Sequence, residues 1–246
     1  MRFGTIAWSF PVLPMSDTSF AFQPIGFIAT PFADKFGIPR QPQLAPHATG
    51  TLQLLAPYNR AEAVRGLEAF SHVWLSWVFH QTAGQWQPTV RPPRLGGNRR
   101  VGVFASRSPF RPNPLGLSLV ALAGIDTRDG VTLSFTGVDL VDGTPILDIK
   151  PYIPFVESQP AARGGFVDGP PPRLEVVFSP AASASLATHA LRYPALPELI
   201  REVLAQDPRP AYADEGERQY GVRLYTLDIK WRCQHGQAIV DEIIAL

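Results

Sequence analysis

Short apolar runs broken by Gly, Pro and Asp set the texture of residues 22–157. QPIGFIAT (23–30), TGTLQLLA (49–56), HVWLSWVFH (72–80), VGVFAS (101–106), LSLVALAGI (117–125), GVTLSFTGVDL (130–140) and PILDIKPYI (145–153) each have strand length and are rich in β-branched or aromatic residues. Several short strands with close turn signals predict a barrel or a sandwich. One helix is expected to interrupt them: Asn59 and Glu62 have the spacing of a capping pair, and Ala63, Val64, Leu67 and Phe70 follow as an apolar face.

The pattern changes at SQPAARGGFVDGPPPR (158–173), whose Pro, Gly and small residues read as a linker or long loop. Beyond it come a strand-like LEVVFS (174–179) and LPELIREVLAQ (196–206). In the latter, apolar residues at 196, 199, 200, 203 and 204 and a proline near the start predict an amphipathic helix. YTLDIKWRC (225–233) then alternates, with Tyr225, Leu227, Ile229, Trp231 and Cys233 on one face. The whole is expected to be mainly β, as a β domain at 22–158 and a small α+β domain at 159–246, behind a flexible extension at 1–21. Pro11 and Pro14 break the only apolar run of that extension, so it reads as neither signal peptide nor anchor, and residues 1–14 read as a flexible extension or as a misassigned start ahead of Met15.

The chain has 246 residues, 45% of them hydrophobic, which is enough for a real core. Its net charge of +1 predicts no strong global field, so a polyanion partner would have to be met by a local patch. Of the 22 basic residues only Lys35, Lys150 and Lys230 are lysine. Arginine forks phosphate and carboxylate well, but codon bias explains the total equally, so only clustering carries weight. The single cysteine, Cys233, excludes an intramolecular disulfide and a multi-cysteine zinc site, in keeping with a reducing cytoplasm.

No GxGxxG follows a strand, and GxxxxGK[ST], HExxH, CxxC and GxSxG are missing, which argues against a Rossmann cofactor site, a phosphate loop and a serine hydrolase. The five histidines stand apart, so no metal is expected. What remains is polar residues on rigid loops. FGIPRQPQLAP (36–46) offers Arg40 and Gln41 between prolines. RPPRLGGNRR carries Arg91, Arg94, Arg99 and Arg100, which suit an anionic backbone or, as readily, a solvated loop. In RSPFRPNPLGLSLV (107–120) three prolines stiffen a frame in which Arg107 and Arg111 could clamp a carboxylate or phosphate and Asn113 could donate and accept. DLVDGTPILDIKPYIP places Asp139, Asp142 and Asp148 around a turn, where a structural role is an equal reading.

Together FGIPRQP, LLAPYNRAEAVRGLEAFSHVWL, FHQT, VRPPRLGGN, GVFASRSPFRPNPLGLSLV, DLVDGTPILDIKPYIPF and REVLAQDPRPAY, in that order, resemble the TrmO (TsaA-like) family of S-adenosylmethionine-dependent tRNA methyltransferases. The resemblance runs from about residue 22 through the last strands. It implies a non-Rossmann β-barrel methyltransferase domain, usually dimeric, with the C-terminal domain of bacterial members. The implied reaction is methylation of N6 in N6-threonylcarbamoyladenosine, beside the anticodon at position 37 of threonine tRNA. Position by position, it assigns the cofactor site to Gln41, Pro42, Phe79, His80, Arg107, Leu117, Gly137, Val138 and Asp139. A base should help the N6 proton leave, with Asp142 first, then His80 and Asp148. Arg111 or Arg91 would meet the threonyl carboxylate, Arg94, Arg99 and Arg100 the anticodon-stem phosphates, and Asn113 the substrate. A non-catalytic RNA-binding barrel and a methyltransferase of a small molecule are the alternatives.

Overall fold

The computed structural model describes residues 19–167, 169–170, 172–209 and 218–246. The expectations for Met15 and for the extension up to residue 18 therefore lie outside the described residues. The first domain contains β1 (Gly26–Ala29), β2 (Thr49–Leu54), β3 (His72–Val78), a small ribbon of β4 (Thr89–Val90) and β5 (Val101–Gly102), β6 (Leu115–Asp126), β7 (Thr132–Thr136) and β8 (Thr144–Pro151). The six longer strands close into a barrel in the spatial order β1-β2-β7-β6-β3-β8, every neighbouring pair antiparallel. Closure leaves no sheet edge to protect. The period-two patterns explain it: Ile28, Leu52, Val73, Leu75, Val120, Leu133 and Ile146 point inward and are fully buried, while their sequence neighbours face out or sideways.

Two local expectations are corrected. The helix expected after Asn59 is a pair of 3-10 turns, Ala61–Val64 and Leu67–Ala69, separated by Gly66 in the left-handed region at φ 86°. The Asn59 side chain does not cap them, because its Oδ1 accepts the Val131 amide of the barrel instead. Of the expected apolar face only Val64 is buried. The run at 101–106 gives two residues of strand and then a 3-10 turn, Val103–Ala105, so it lies outside the barrel.

After a single helical turn, α1 (Pro154–Glu157), and the proline- and glycine-rich segment come β9 (Glu175–Phe178), α2 (Pro180–Ala190), α3 (Leu196–Ala205), β10 (Tyr220–Leu224), β11 (Leu227–Gln234) and β12 (Gln237–Ala245). The sheet order is β10-β11-β12-β9, with β9 parallel to β12. Ser179 starts α2 by accepting the Ala182 amide at 3.0 Å, with Pro180 at the first helical position. A helix of ten residues such as α3 is marginal on its own, so packing holds it. Leu196, Leu199, Ile200, Val203 and Leu204, the expected apolar stripe, are all buried. Alternation in β11 holds from Leu227 to Cys233, whereas Tyr225 precedes the strand in a turn at φ 55° and stacks on Tyr193 at 4.1 Å.

The two parts touch through the loop after β1. Phe32, fully buried, bridges to Leu224; the Tyr225 amide donates to Pro31; and His47 Nδ1 meets Glu202 Oε1 at 2.6 Å. That loop also supplies one side of the site, so the C-terminal domain braces it from behind. Among the described residues no helix is long and apolar enough to cross a membrane.

Candidate active site

Four separated stretches of chain converge on one cleft of about 570 Å³. The loop between β1 and β2 contributes Lys35, Ile38, Pro39, Arg40 and Gln41. The end of β3 and the turn beyond it give Trp77, Phe79, His80 and Thr82; the stiff loop before β6 gives Ser106, Arg107, Pro109 and Arg111; and the link from β7 to β8 gives Asp139 and Val141. Leu115, Gly116 and Leu117 of β6 complete the wall.

The proline-rich loop is pinned to the turn opposite it. Phe79 N–H donates to the Pro114 carbonyl at 2.7 Å, Gln87 N–H to Phe110 at 3.1 Å, and the Thr82 hydroxyl to Pro109 at 3.3 Å. Arg111 is spent on the loop itself: Nη1 donates to the Ser106 carbonyl at 2.8 Å and to Val103 at 3.3 Å, and the guanidinium lies 5.8 Å from the Phe104 ring centre. It buttresses the frame that carries Arg107. Arg107 in turn donates through Nη1 to Gln41 Oε1, joining two sides of the cleft.

At the floor a hydrogen-bond chain runs from an indole to a carboxylate. Trp77 Nε1 donates to Ser118 Oγ at 3.0 Å, and the Ser118 hydroxyl donates to Asp139 Oδ1 at 2.6 Å. Ser118 is fully buried, and its single proton is committed to Asp139 because its oxygen already accepts from Trp77. Burial lifts the Asp139 carboxyl to about 6; the Ser118 hydroxyl, the residue's own amide and the Arg107 charge work against that lift. Phe79 meets Trp77 edge-on with ring centres 4.3 Å apart, giving the cleft an aromatic wall.

Of the residues assigned to the cofactor, Gln41, Phe79, His80, Arg107, Leu117 and Asp139 line the cleft, and Pro42, Gly137 and Val138 do not. Val138 is fully buried in the barrel core. Gly137, two residues before Asp139, adopts φ 71°, with the Gln43 side chain where a Cβ would stand.

Among the proposed bases only His80 lines the cleft. Asp142 Oδ1 accepts the Thr30 amide at 2.9 Å, tying the link before β8 to the end of β1, and Asp148 pairs with Lys150. Of the substrate candidates Arg111 alone lines it; Arg91, Arg94, Arg99, Arg100 and Asn113 stand outside. Arg94 donates to the Gly169 carbonyl at 2.6 Å and Arg100 to Thr89 Oγ1 at 3.0 Å, so both hold the ribbon in place. Sequence reasoning passed over Lys35, Trp77 and Ser118. A tryptophan and a serine at strand spacing read as ordinary pleat positions, and only cross-strand register brings them to Asp139.

Residues 27–158 match the family described as tRNA-methyltransferase O N-terminal domain, and residues 171–246 match the TrmO C-terminal domain. The chain is 54% identical over 220 residues to the tRNA (adenine(37)-N6)-methyltransferase of Escherichia coli (strain K12), covering 87% of this chain and 94% of that protein. It is 51% identical over 179 residues to the protein of the same description from Eikenella corrodens, covering 72% and 99%. The crystal structure of TrmO from Pseudomonas aeruginosa agrees with a TM-score of 0.80 at 41% identity, over 93% of this chain and 99% of that one. Two domain matches in chain order, joined to one barrel and one α+β unit in the same arrangement, fix the relationship: this chain belongs to the TrmO family of tRNA methyltransferases.

Proposed function

We propose that this chain methylates N6 of N6-threonylcarbamoyladenosine at position 37 of threonine tRNA, with the cleft holding both the methyl donor and the modified base. The chain is an S-adenosylmethionine-dependent methyltransferase by its family, and the relatives named above act on adenine 37 of tRNA. One observation carries the assignment of the cleft: residues from four distant stretches bring a guanidinium, an aromatic wall and a carboxyl to a single space. That set fits S-adenosylmethionine, whose carboxylate suits Arg107 and whose adenine and sulfonium suit Phe79 and Trp77. Bound there, the donor supplies a methyl group already activated by a positive sulfur.

The protein's part is then mainly alignment. Gln41 and the Arg111-braced loop hold Arg107 in place, and Phe79 on Trp77 fixes one wall. We read 22–158 as the catalytic domain and 159–246 as a brace for its β1–β2 loop. We also read the protein as a cytoplasmic homodimer, to be checked by its mass in sedimentation. The direct test is mass spectrometry of nucleosides from threonylcarbamoylated threonine tRNA incubated with and without S-adenosylmethionine. A gain of one methyl on that nucleoside, only with the donor, is expected; no gain on intact substrate would favour a binding module or another acceptor.

Arg107→Ala is expected to weaken donor binding about 10- to 100-fold by calorimetry, the scale of a charge-assisted hydrogen bond, with the melting temperature little changed. Unchanged affinity would remove Arg107 from the donor site. Lys35 and Arg40 are exposed at the cleft without a carboxylate partner among the described residues, which suits the threonyl carboxylate or a phosphate of the tRNA. Replacing both by alanine should raise KM for tRNA roughly tenfold and leave donor affinity alone. A KM equal to that of the wild type would dismiss them.

A further inference from the structure

We infer that Asp139, held by Ser118 and Trp77, is the base that takes the N6 proton of the modified adenosine during methyl transfer. This deepens the function proposed above and rests on it. Family resemblance gives Asp139 only to the cofactor, and the bases expected from sequence were Asp142, His80 and Asp148.

The reaction needs a proton acceptor inside the cleft. N6 bears one hydrogen and is flanked by a carbamoyl carbonyl and the purine, so its lone pair is delocalised until that hydrogen leaves. As the N6 pair forms the new N–CH3 bond, the electrons of the S–CH3 bond remain on sulfur, and the N6 proton passes to the Asp139 carboxylate and then to solvent. Charge balances, since the sulfonium becomes a neutral thioether and one proton is released. No further reagent is required.

Among the carboxylates discussed, Asp139 alone lines the cleft; Asp142 holds the Thr30 amide across the barrel strands, and Asp148 is paired with Lys150. Its surroundings suit a base rather than a fixed anion. Ser118 can only donate to it, which orients Oδ1 and fixes the plane of the carboxylate. Arg107, its charged neighbour, is also tied to Gln41. The other charged or titratable side chains lining the cleft are Lys35, Arg40, His80 and Arg111. A carboxyl that titrates close to neutral pH is better matched to proton transfer than an ordinary one.

The test compares wild type, Asp139→Asn, Asp139→Glu and His80→Gln, each by donor binding in calorimetry and by single-turnover methylation of threonylcarbamoylated tRNA. Expected is a fall in rate of about 100-fold or more for Asp139→Asn with donor affinity within about threefold, and partial activity for Asp139→Glu. The wild-type rate should climb tenfold per pH unit and level off near about 6, as the carboxyl ionises. Ser118→Ala, which removes a hydrogen bond that favours the ionised form, should move that limb to higher pH. Four outcomes overturn the assignment. They are donor affinity lost in step with rate in Asp139→Asn, full activity of that variant, loss of turnover confined to His80→Gln, and a pH limb that Ser118→Ala leaves in place. Absence of any methylation by the wild type would overturn the substrate reading itself, and the base with it.

Discussion

Gly116→Ala is expected to lower stability by about 2–6 kcal/mol and to remove most of the activity in the fraction that stays folded. Gly116 pairs with Trp77 across β3 and β6. A Cβ built on it would stand 2.2 Å from Cε2, 2.3 Å from Cζ2 and 2.5 Å from Cδ2 of the indole. These distances are far inside contact, and the obstacle is a rigid ring locked between strands rather than the tip of a flexible chain. Trp77 must therefore move. Overpacking of this kind typically costs about 1–3 kcal/mol, and breaking the Nε1 bond to Ser118 leaves a buried donor unpaired for about 1–3 more.

The same movement disturbs the floor of the cleft, because Trp77 orients Ser118, Ser118 orients Asp139, and Phe79 rests on the indole. Calorimetry and single-turnover rates measured together check both halves. The double variant with Trp77→Phe should melt closer to the wild type than the sum of the two single changes, since the smaller ring makes room. Wild-type melting of Gly116→Ala would mean that the indole does not fill that space.

Asp139→Asn should be more stable than the wild type at about pH 8, by about 1–3 kcal/mol, while being the least active variant. Folding moves this carboxyl from 3.8 to about 6, so the folded state favours the protonated form. The stability tied to that proton is complete below the unfolded value, near pH 3.8, and is lost as the pH rises through about 6. A shift of about two units corresponds to roughly 3 kcal/mol at neutral pH and above. Asparagine keeps the acceptor for Ser118 and carries no charge to bury, so it avoids that loss. Melting curves from about pH 4 to 8 should show the two proteins diverging as pH rises, with the variant above. If the curves run parallel, burial is not straining this carboxyl.

Part of the cleft was legible in the chain. Arg107 and Gln41 stand on proline-stiffened loops, and rigid polar loops are a signal that composition cannot hide. Arg111 carried the same signal and also lines the cleft, but one edge of its guanidinium is taken by two backbone carbonyls of its own loop. Asp142, beside Gly143, looked like either a base or a turn residue, and its carboxylate accepts the amide of Thr30, 112 residues away in the chain. The arginine-rich ribbon lies outside the cleft, with Arg94 and Arg100 bonded to neighbouring chain. Short-range spacing is blind to such partners.

Alternation and turn residues by themselves determined that the first domain would be built of short strands. The apolar stripe of α3 and the inward face of β11 were equally written in the sequence, because period 3.6 and period 2 are local properties of the backbone. Closure of six strands into a barrel, the replacement of the helix after Asn59 by two 3-10 turns, and the choice among acidic residues were decided only in three dimensions. Each depends on a partner far along the chain. Asn59 is claimed by Val131, Ser118 by Trp77 and Asp139, and Asp142 by Thr30, and each of these hydrogen bonds exists only once the barrel has closed.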